Sequence, residues 1–463
     1  MLTYQDWEKV KDTGKMLEFI SKAIREHRAS DDYKIACSAD NYDKQQNEFI
    51  LDFTDKWFNK WFDKRQTETT QTALCNNLYH RLNTQRCTYS LGNGISFSTE
   101  DDGRKKSDEI KSKLGKDIDD ILFVGAYNAL KHKSSYFFFN YDRVVNFTLR
   151  EFVPFKDEET GELRAGIRFW QIDDERPCFA VVYEEDGYTK YKGNSSYGEF
   201  AVIDEKKPYK VNKTTSEAFG ERVTGGENYS SFPIVEMYGT RLEQSTLVGM
   251  KRKLDAFDLI QSGFADNVLN VQQVYWIVEN AGGMKAKDFK EFRENLMNYK
   301  MATVNSIEDG VKVTPHQNEV PTNAHETALR ELRSSIYEDF GGLDVHTIAA
   351  GATNDHIEAA YQPLDENADD FEYQIIGLVR KLLTFAGVED ATPLFKRNRV
   401  ANQSEKTAMV MSAAAVLDDE AIINHLDFIS VDEKEDILAR KADVDMSRFG
   451  NVPNETTIED DVA

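Results

Sequence analysis

Near the middle of the chain lies the run Leu254-Asp255-Ala256-Phe257-Asp258-Leu259-Ile260-Gln261-Ser262-Gly263-Phe264-Ala265-Asp266-Asn267. Apolar residues before and within this run recur at steps close to multiples of the helical turn. They are Leu247, Met250, Leu254, Phe257 and Phe264. One face of the segment is therefore apolar, which predicts an amphipathic helix. This helix separates two regions whose apolar residues follow different patterns.

After this helix the sequence predicts a compact α/β insert of about sixty residues. Short strands are expected at 274–278, 301–304 and 310–313, with a small amphipathic helix between the first two. A second amphipathic helix then begins near Thr322 or Asn323, either of which can cap it. Its apolar face carries Leu329, Leu332, Ile336 and Phe340. Because the insert lies between two helices, we expect it to project from the body.

Residues 341–352 follow this second helix and are small, glycine-rich and without helical period, which predicts a mobile loop. The longest periodic element of the sequence comes next, over residues 354–390. Its apolar residues step by three and four, which predicts a helix about 45 Å long. Pro363 lies inside this helix and should kink it near its start.

The region before the central helix changes its pattern near residue 136. Residues 1–135 are predicted to be mostly helical, with a strand and a turn or bulge over residues 89–97. From 136 to about 240 the period is two, which predicts an antiparallel β module. Strands are expected at 135–153, 166–172, 178–183, 188–191, 199–203 and 234–238, with turns at 159–162, 185–187 and 225–228. The first of these ranges is long enough for two strands or for one strand with a break. The chain is thus expected to be α+β.

Length and charge limit the function. A chain of 463 residues is too long for one core and should form about three compact units. Its 81 acidic and 57 basic residues give a formal charge of −24, which argues against a sequence-reading nucleic-acid binder. No apolar run is long enough to span a membrane, and the start does not resemble a signal peptide. We therefore expect a protein that stays inside the cell and does not bind membranes.

Few residues form a pattern typical of catalysis or metal binding. The four cysteines include no C-x-x-C pair, and the sequence contains no phosphate-binding loop, nucleophile elbow or H-E-x-x-H. The one local cluster is Asp355, His356 and Glu358, with His346 ten residues earlier. Helix capping explains the acidic residues better than a metal site does. We expect no cofactor, no metal and no catalytic residue.

The start of the long helix is acidic. Between residues 354 and 374 the sequence has seven carboxylates and no lysine or arginine. These are Asp355, Glu358, Asp365, Glu366, Asp369, Asp370 and Glu372. The simplest interpretation is a solvated helix face. The alternative is a surface that lets a polyanion pass without binding, because no cation is present to displace counterions from phosphate.

The order of these elements resembles the portal proteins of tailed bacteriophages. The run Ser231-Phe232-Pro233-Ile234-Val235-Glu236-Met237 looks like the strand that precedes the family's stem. The central run is similar to the family's D-x-Y/F-D-x-x-x-S-x-x-x-N/D stem helix. Further matches are helix 288–300, Ser335-Ile336-Tyr337 before the loop, Leu364-Asp365-x-x-Ala368-Asp369 in the long helix, and Asn402-Gln403-Ser404-Glu405-Lys406. The sequence departs from the family at Asn354-Asp355-His356 and Ser134-Ser135-Tyr136, which affects the expected boundaries.

The resemblance implies a division of the chain into named parts. These would be a helical wing (1–135), a β-rich wing (136–240), two stem helices (241–264 and 326–340) around a clip (265–325), a tunnel loop (341–353), a long wing helix (354–390), and a crown with an acidic tail (391–463). In the tunnel loop, Val345, His346, Thr347 and Ile348 would lie nearest the DNA. In the clip, Lys285, Lys287 and Lys290 are candidate contacts for an acidic partner, although a solvated helix edge explains them as well.

The resemblance also implies a function. The protein would form a ring, commonly of twelve subunits, at one vertex of the virion capsid, after assembly in the host cytoplasm. Double-stranded DNA would be packaged and ejected through the ring without base readout. The implied partners are the major capsid protein, the scaffold, the terminase large subunit, and the head-completion, adaptor and tail proteins. Two alternatives remain, namely a metal-dependent hydrolase using Asp355, His356 and Glu358, and a structural virion protein without a channel.

Overall fold

The structure is a computed structural model. It describes residues 2–11, 14–52, 72–98, 103–173, 176–194, 199–217, 220–271, 275–279, 312–316, 322–347, 353–388 and 391–399, with positions 287, 290, 291, 294, 407, 410–412, 422 and 437.

The helices whose bounds the structure describes are nine. They are α1 (Tyr4–Lys11), α2 (Met16–Ala29), α3 (Asp31–Asp43), α4 (Leu78–Leu91), α5 (Gly103–Leu114), α6 (Ile118–His132), α7 (Leu247–Val271), α8 (Thr322–Phe340) and α9 (Asn354–Phe385). Helix α7 contains the central run, and α9 continues without a break through Pro363.

The described strands form five antiparallel sheets. They are β1 (Ile95–Ser98), β2 (Ser134–Asn140), β3 (Arg143–Thr148), β4 (Phe152–Lys156), β5 (Leu163–Trp170), β6 (Cys178–Glu184), β7 (Gly187–Gly193), β8 (Phe200–Lys207), β9 (Lys210–Glu217), β10 (Gly220–Glu227), β11 (Ile234–Tyr238), β12 (Tyr275–Glu279), β13 (Lys312–His316) and β14 (Thr392–Phe395). The largest sheet has the order β4-β5-β6-β7-β8, and a three-stranded sheet has the order β11-β2-β3. Three two-stranded sheets pair β1 with β14, β9 with β10, and β12 with β13.

The five-stranded sheet buries both of its faces. Its side chains alternate between the faces, as the two-residue period of a strand requires. Val182 on one face packs in a core with Trp7 of α1 and Ile20 of α2. Val181 on the other face belongs to a core with Phe138 and Phe147 of the three-stranded sheet.

Two further cores join the helices. Leu130 of α6, Phe137 of β2 and Phe371 of α9 belong to one of them, which extends to β1 and α5. The other holds α3, α4, α7 and α8 together through their apolar faces. Its buried members include Tyr42, Tyr79, Leu254 and Ile336. The central helix therefore packs against both the N-terminal helices and its partner α8.

The contacts divide the chain into two units. The first comprises residues 1–342 and 367–397, and it contains all four cores named above. The second comprises residues 343–366 and 398–463. Helix α9 contributes its first turns to the second unit and the remainder to the first.

The sequence predicted the class of the fold, since helices and antiparallel sheets make it α+β. Three local predictions were wrong. Residues 89–91 form the last turn of α4, where Leu91 is buried, and only Ile95–Ser98 is a strand. The predicted turn at 225–228 overlaps β10, whose register shifts at Gly225 and Gly226. The range 135–153, predicted to be two strands or one with a break, includes β2, β3 and the start of β4, separated at residues 141–142 and 149–151.

Other predicted bounds shifted. Helix α7 continues to Val271 instead of ending at residue 264, and α9 ends at Phe385. The loop is not wholly irregular, because Val345–Thr347 forms a turn of 3₁₀ helix. Parts of several predictions lie outside the described residues, namely the strand at 301–304, most of helix 288–300, the motif at 402–406 and the acidic tail.

Candidate functional site

Helices α7 and α8 lie side by side and run in opposite directions. Lys253 of α7 donates a hydrogen bond to Ser335 Oγ at 2.5 Å and forms an ion pair with Asp339. Further along α7, the Phe264 ring contacts the His325 ring, with centroids 5.3 Å apart. As the residue number rises along α7 it falls along α8, so the pair is antiparallel. This is the relation expected of two helices that enclose an insert.

The start of α7 is attached to the end of α6. The last carbonyls of a helix lack partners within it. Thr246 N–H donates to the carbonyl of Leu130 at 3.0 Å, and the Ser245 hydroxyl donates to the carbonyl of Lys131. Ser245 Oγ also accepts a hydrogen bond from Leu247 N–H at 3.2 Å. The two residues that precede α7 therefore complete α6 and begin α7 at a fixed point.

Four polar residues of the central run accept hydrogen bonds from the N-terminal part of the chain. Asp255 accepts from the Tyr42 hydroxyl of α3 and pairs with Lys251 at 3.0 Å. Asp258, Ser262 and Asp266 accept from residues that precede α4. The spacing that resembles a family motif thus has a direct structural role in this chain.

Asp258 is fully buried, although no cation lies among its hydrogen-bond donors. Its Oδ1 accepts from Asn76 N–H at 2.8 Å and from the Asn76 side-chain amide at 2.6 Å. Its Oδ2 accepts from the side-chain amide of Asn47. Burial raises the pKa of Asp258, and the hydrogen bonds from Asn47 and Asn76 oppose that rise. The carboxyl joins the end of α3, the segment before α4 and the middle of α7.

Hydrogen bonds fix the end of α8 at Phe340, where the predicted tunnel loop begins. Gly341 N–H donates to the Glu338 carbonyl at 3.0 Å and Gly342 N–H to the Tyr337 carbonyl at 2.9 Å, the two bonds of a Schellman motif. Gly341 has a φ of +63°, which favours glycine. At Gly342 a Cβ would lie 2.5 Å from Leu82 Cδ2. The backbone conformation therefore favours glycine at 341, and the close approach of the Leu82 side chain favours glycine at 342.

Two side chains bind the last carbonyls of α8. Arg86 is buried, donates to the Phe340 carbonyl at 2.9 Å and stacks on the Phe340 ring at 4.6 Å. Burial lowers the pKa of Arg86 to about 10, so its guanidinium stays charged at neutral pH beside the negative end of the helix dipole. Asn367 donates to the carbonyls of Phe340 and Gly341 at 3.2 and 3.3 Å. The loop therefore begins at a rigid position.

The loop itself is described as far as residue 347. Leu343 is buried, whereas Val345 is 56% exposed and His346 is exposed. The backbone N–H of His346 donates to Asp344 Oδ1 at 3.2 Å. The structure describes the backbone of Thr347, and Ile348 lies outside the described residues. Two of the four predicted DNA-facing side chains are thus seen to be exposed.

The acidic stretch of α9 differs from both predicted interpretations. Asp365 pairs with Arg399 at 2.5 Å, and Asp370 pairs with Arg241 at 2.5 Å. Arg397 pairs with Asp369 and, at 2.8 Å, with Glu372. Four of the seven carboxylates therefore meet arginines from distant parts of the sequence. The stretch is neither a purely solvated face nor an uncompensated acidic wall.

The alternative metal site finds no support in the geometry. Among the described residues, no three side chains of His, Cys, Asp or Glu lie close enough to hold a metal ion. His356 Nδ1 lies 2.7 Å from the hydroxyl of Thr353, as a side chain in the first turn of a helix commonly does. Asp355 and Glu358 are exposed.

The predicted clip lysines are only partly described. Lys287 and Lys290 are helical and exposed, and Lys290 pairs with Glu294 on its own helix at 4.0 Å. Lys285 lies outside the described residues. In this region β12 and β13 are paired, with Tyr275 opposite His316 and Glu279 opposite Lys312.

No pattern in the sequence indicated the polar network between α3 and α6. Asp40 accepts hydrogen bonds from Lys131 at 3.0 Å, His132 at 2.8 Å and Arg150 at 2.6 Å. Asp43 accepts from Lys131 at 3.0 Å, from His80 at 2.9 Å and from the Tyr127 hydroxyl. These partners are far apart in sequence, so no local spacing relates them. The network positions the end of α6. The residues that precede α7, Ser245 and Thr246, are hydrogen-bonded to this end.

None of the helices within the described ranges is long and apolar enough to cross a membrane.

Comparisons with known proteins agree on one family. A family model described as phage portal protein, SPP1 Gp6-like, matches residues 59–446. The portal protein of Clostridium phage phiCD119 is 24% identical over 424 residues, which cover 85% of this chain and 90% of that protein. The portal protein of Bacillus phage SPP1 is 23% identical over 370 residues, which cover 73% of this chain and 69% of that protein.

Among solved structures, one similar chain comes from the neck of an empty GTA particle computed with C6 symmetry. Its TM-score is 0.44 at 10% sequence identity, and the match covers 76% of this chain and 90% of that chain.

Proposed function

This chain belongs to the phage portal protein family of the SPP1 Gp6-like type, and we propose that it assembles into a ring of twelve subunits at one capsid vertex. Double-stranded DNA enters and leaves the capsid through the ring. The observation that carries the proposal is the family match over residues 59–446, which includes α7, α8 and α9. The same match favours this function over a metal-dependent hydrolase or a virion protein without a channel.

The division into parts follows the antiparallel pair. Helices α7 and α8 are the stem, and residues 272–321 between them belong to the clip. The wing comprises the cores before α7 and the later turns of α9, and the chain after β14 leads into the crown. The fixed end of α8 supports this division, because a loop that meets passing DNA needs a rigid base.

The loop after α8 is the proposed constriction. Val345 and His346 are exposed there, and residues 341–379 contain no lysine or arginine. Contact with DNA at such a loop releases no counterions, so the duplex moves past it without base readout or strong adhesion. The protein acts as a structural conduit and catalyses no reaction.

The proposed position of the ring at a capsid vertex determines which proteins it contacts. The wing contacts the capsid protein and the scaffold, and the clip receives the terminase during packaging and the adaptor and tail proteins afterwards. Exposed Lys287 and Lys290 are proposed contacts for an acidic surface on these partners. The ring is assembled in the host cytoplasm and remains in the virion.

The proposal is tested by deleting residues 345–352 and measuring the DNA content of the resulting particles. The deletion should leave ring assembly intact, since the base of the loop is held by Arg86 and Asn367 within the first unit. Particles should then package or retain less DNA than the wild type. Glu159→Ala, in the exposed turn between β4 and β5, is the control and should change nothing. Normal DNA-filled particles from the deletion would contradict the conduit assignment.

A further inference from the structure

Residues 72–76 lie along α7 in a regular register. Thr72 N–H donates to Asp266 Oδ1 at 2.8 Å, Leu74 N–H to Ser262 Oγ at 3.0 Å, and Asn76 N–H to Asp258 Oδ1 at 2.8 Å. The donors are every second residue of one segment, and the acceptors are every fourth residue of the helix. The segment and the helix run in opposite directions.

This register has a simple geometric origin. Two residues of extended chain span about 6.6 Å. Four residues of α-helix rise about 6 Å, and they return close to the same face of the helix. The two repeats therefore match closely enough for three successive contacts. Residues 72–77 have no regular secondary structure, so their N–H groups depend on such acceptors.

The two ends of the segment are held unequally. At Asn76 the N–H and the side-chain amide both bind Asp258, and the side-chain amide also reaches the Leu254 carbonyl at 3.3 Å. Asn47 donates to the other oxygen of Asp258, so the same carboxyl holds the chain on both sides of residues 48–75. Both asparagines are buried. At Thr72 one bond from the backbone N–H joins the segment to α7, and the bond is only partly buried.

We propose that residues 72–76 form a strap that latches α7 to the N-terminal helices and opens from Thr72 toward Asn76. The bond between Thr72 and Asp266 breaks first, and the bond between Leu74 and Ser262 breaks next. The bonds between Asn76 and Asp258 break last, and we call Asp258 the latch. The strap fixes the axial position of α7, the helix that leads into β12 and the insert. Displacement of the insert therefore reaches the N-terminal helices through the strap. This device concerns the conformation of one chain and does not depend on ring formation.

The test is hydrogen exchange of the purified full-length protein, resolved at the amides of Thr72, Leu74 and Asn76. In the wild type the three amides should exchange in the order Thr72, Leu74, Asn76, fastest first. Ser262→Ala removes the middle acceptor, and it should accelerate Leu74 and Asn76 by about threefold to tenfold while leaving Thr72 unchanged, because Thr72 opens before the middle contact breaks. Ser334→Ala is the matched control, because that hydroxyl bonds Glu338 on its own helix, and it should alter none of the three.

Asp258→Asn tests the latch. The introduced amide presents a donor to Asn47 or Asn76, where both partners already donate, so Asn76 should exchange faster than in Ser262→Ala, while Thr72 should keep its wild-type rate. Acceleration confined to Leu74 in Ser262→Ala would show three independent bonds and overturn the strap. Equal acceleration of all three amides in that variant would show opening without a direction, and it would overturn the proposal equally. Ser262→Ala decides the matter by itself if Asp258→Asn does not fold.

Discussion

Asn76 donates two hydrogen bonds to one oxygen of Asp258, from its backbone N–H at 2.8 Å and from its side chain at 2.6 Å. The two residues are separated by 182 positions in the sequence and are both buried. This contact fixes the middle of α7 against the N-terminal helices. The stem of the proposed portal is therefore held by polar contacts as well as by its apolar face.

Replacing Asp258 by alanine should destabilise the protein strongly. The substitution leaves the N–H of Asn76 and the side-chain amide of Asn47 without an acceptor, and it leaves the side-chain amide of Asn76 with only the longer bond to the Leu254 carbonyl. Each unsatisfied buried group costs about 1–3 kcal/mol, and relief of the buried charge offsets part of that cost. We expect the free energy of unfolding to fall by about 2–4 kcal/mol in urea titrations.

The control for this substitution is Asp339→Ala on α8, which removes the half-exposed partner of Lys253. Its effect should stay below about 1 kcal/mol, as for most surface ion pairs. Equal losses in the two variants would show that Asp258 has no special role.

The network around Asp40 should make the protein sensitive to acid. Burial by itself would raise the pKa of Asp40, but His132, Lys131 and Arg150 outweigh it and hold the pKa well below its usual range. A carboxyl with a depressed folded pKa stabilises the protein above its unfolded pKa of about 3.9. That stabilisation is lost as the pH falls below this value toward the folded pKa.

Asp40→Asn provides the measurement. At pH 7 the variant should be less stable than the wild type in urea, since Arg150 loses the carboxylate of Asp40 and Lys131 loses one of its two carboxylate partners. The difference should shrink as the pH is lowered below about 4, because the carboxyl of the unfolded wild type then becomes protonated while the folded carboxyl stays ionised. A difference that stays constant down to acidic pH would mean that the network does not depress the pKa.

Gly341→Ala and Gly249→Ala should change stability in opposite directions. Gly341 has a φ of +63°, so alanine there should destabilise the protein by about 1 kcal/mol. Gly249 lies in α7, and a Cβ added to it would meet no atom within 4 Å. Alanine at this position should stabilise the helix by up to about 1 kcal/mol. Thermal unfolding of the two variants checks both signs, and a stabilising Gly341→Ala would exclude the Schellman motif at the end of α8.

Arg397→Gln should weaken the attachment of the chain after β14 to α9. Arg397 binds Glu372 and Asp369, and Glu372 is largely buried. We expect the free energy of unfolding to fall by about 1–2 kcal/mol at low ionic strength. A smaller loss is expected in high salt, where the remaining carboxylates repel each other less. A loss that does not depend on salt would show that the guanidinium contributes mainly through packing.

Much of the architecture was predictable from local periodicity. The spacing of Leu254 and Phe257 indicated an amphipathic helix, and the two-residue period after residue 136 indicated the strands of an antiparallel module. Hairpin β9–β10 was missed because residues 210–227 are polar and glycine-containing, so they show little alternation. Bulges at Gly225 and Gly226 allow a strand where two glycines favour a turn.

The contacts of the candidate site were much less predictable. The carboxylates of α9 looked unpaired because Arg241, Arg397 and Arg399 lie outside the stretch in which they were counted. The Asp40 network likewise joins residues about ninety positions apart. Asp258 and Ser262 were singled out as a family-like motif, but only the fold shows that their partners are the amides of residues 72–76. Such pairings depend on tertiary structure, which no local spacing encodes.

The central claim is that identical copies of this chain close into a ring around a channel. The most direct measurement combines the assembly mass and electron-microscope class averages of the purified full-length protein. Twelve copies of a 53.0 kDa chain give about 640 kDa. We expect particles near this mass, with rotational symmetry and a central hole. A protein that stays monomeric at high concentration, or forms particles without a hole, would contradict the account.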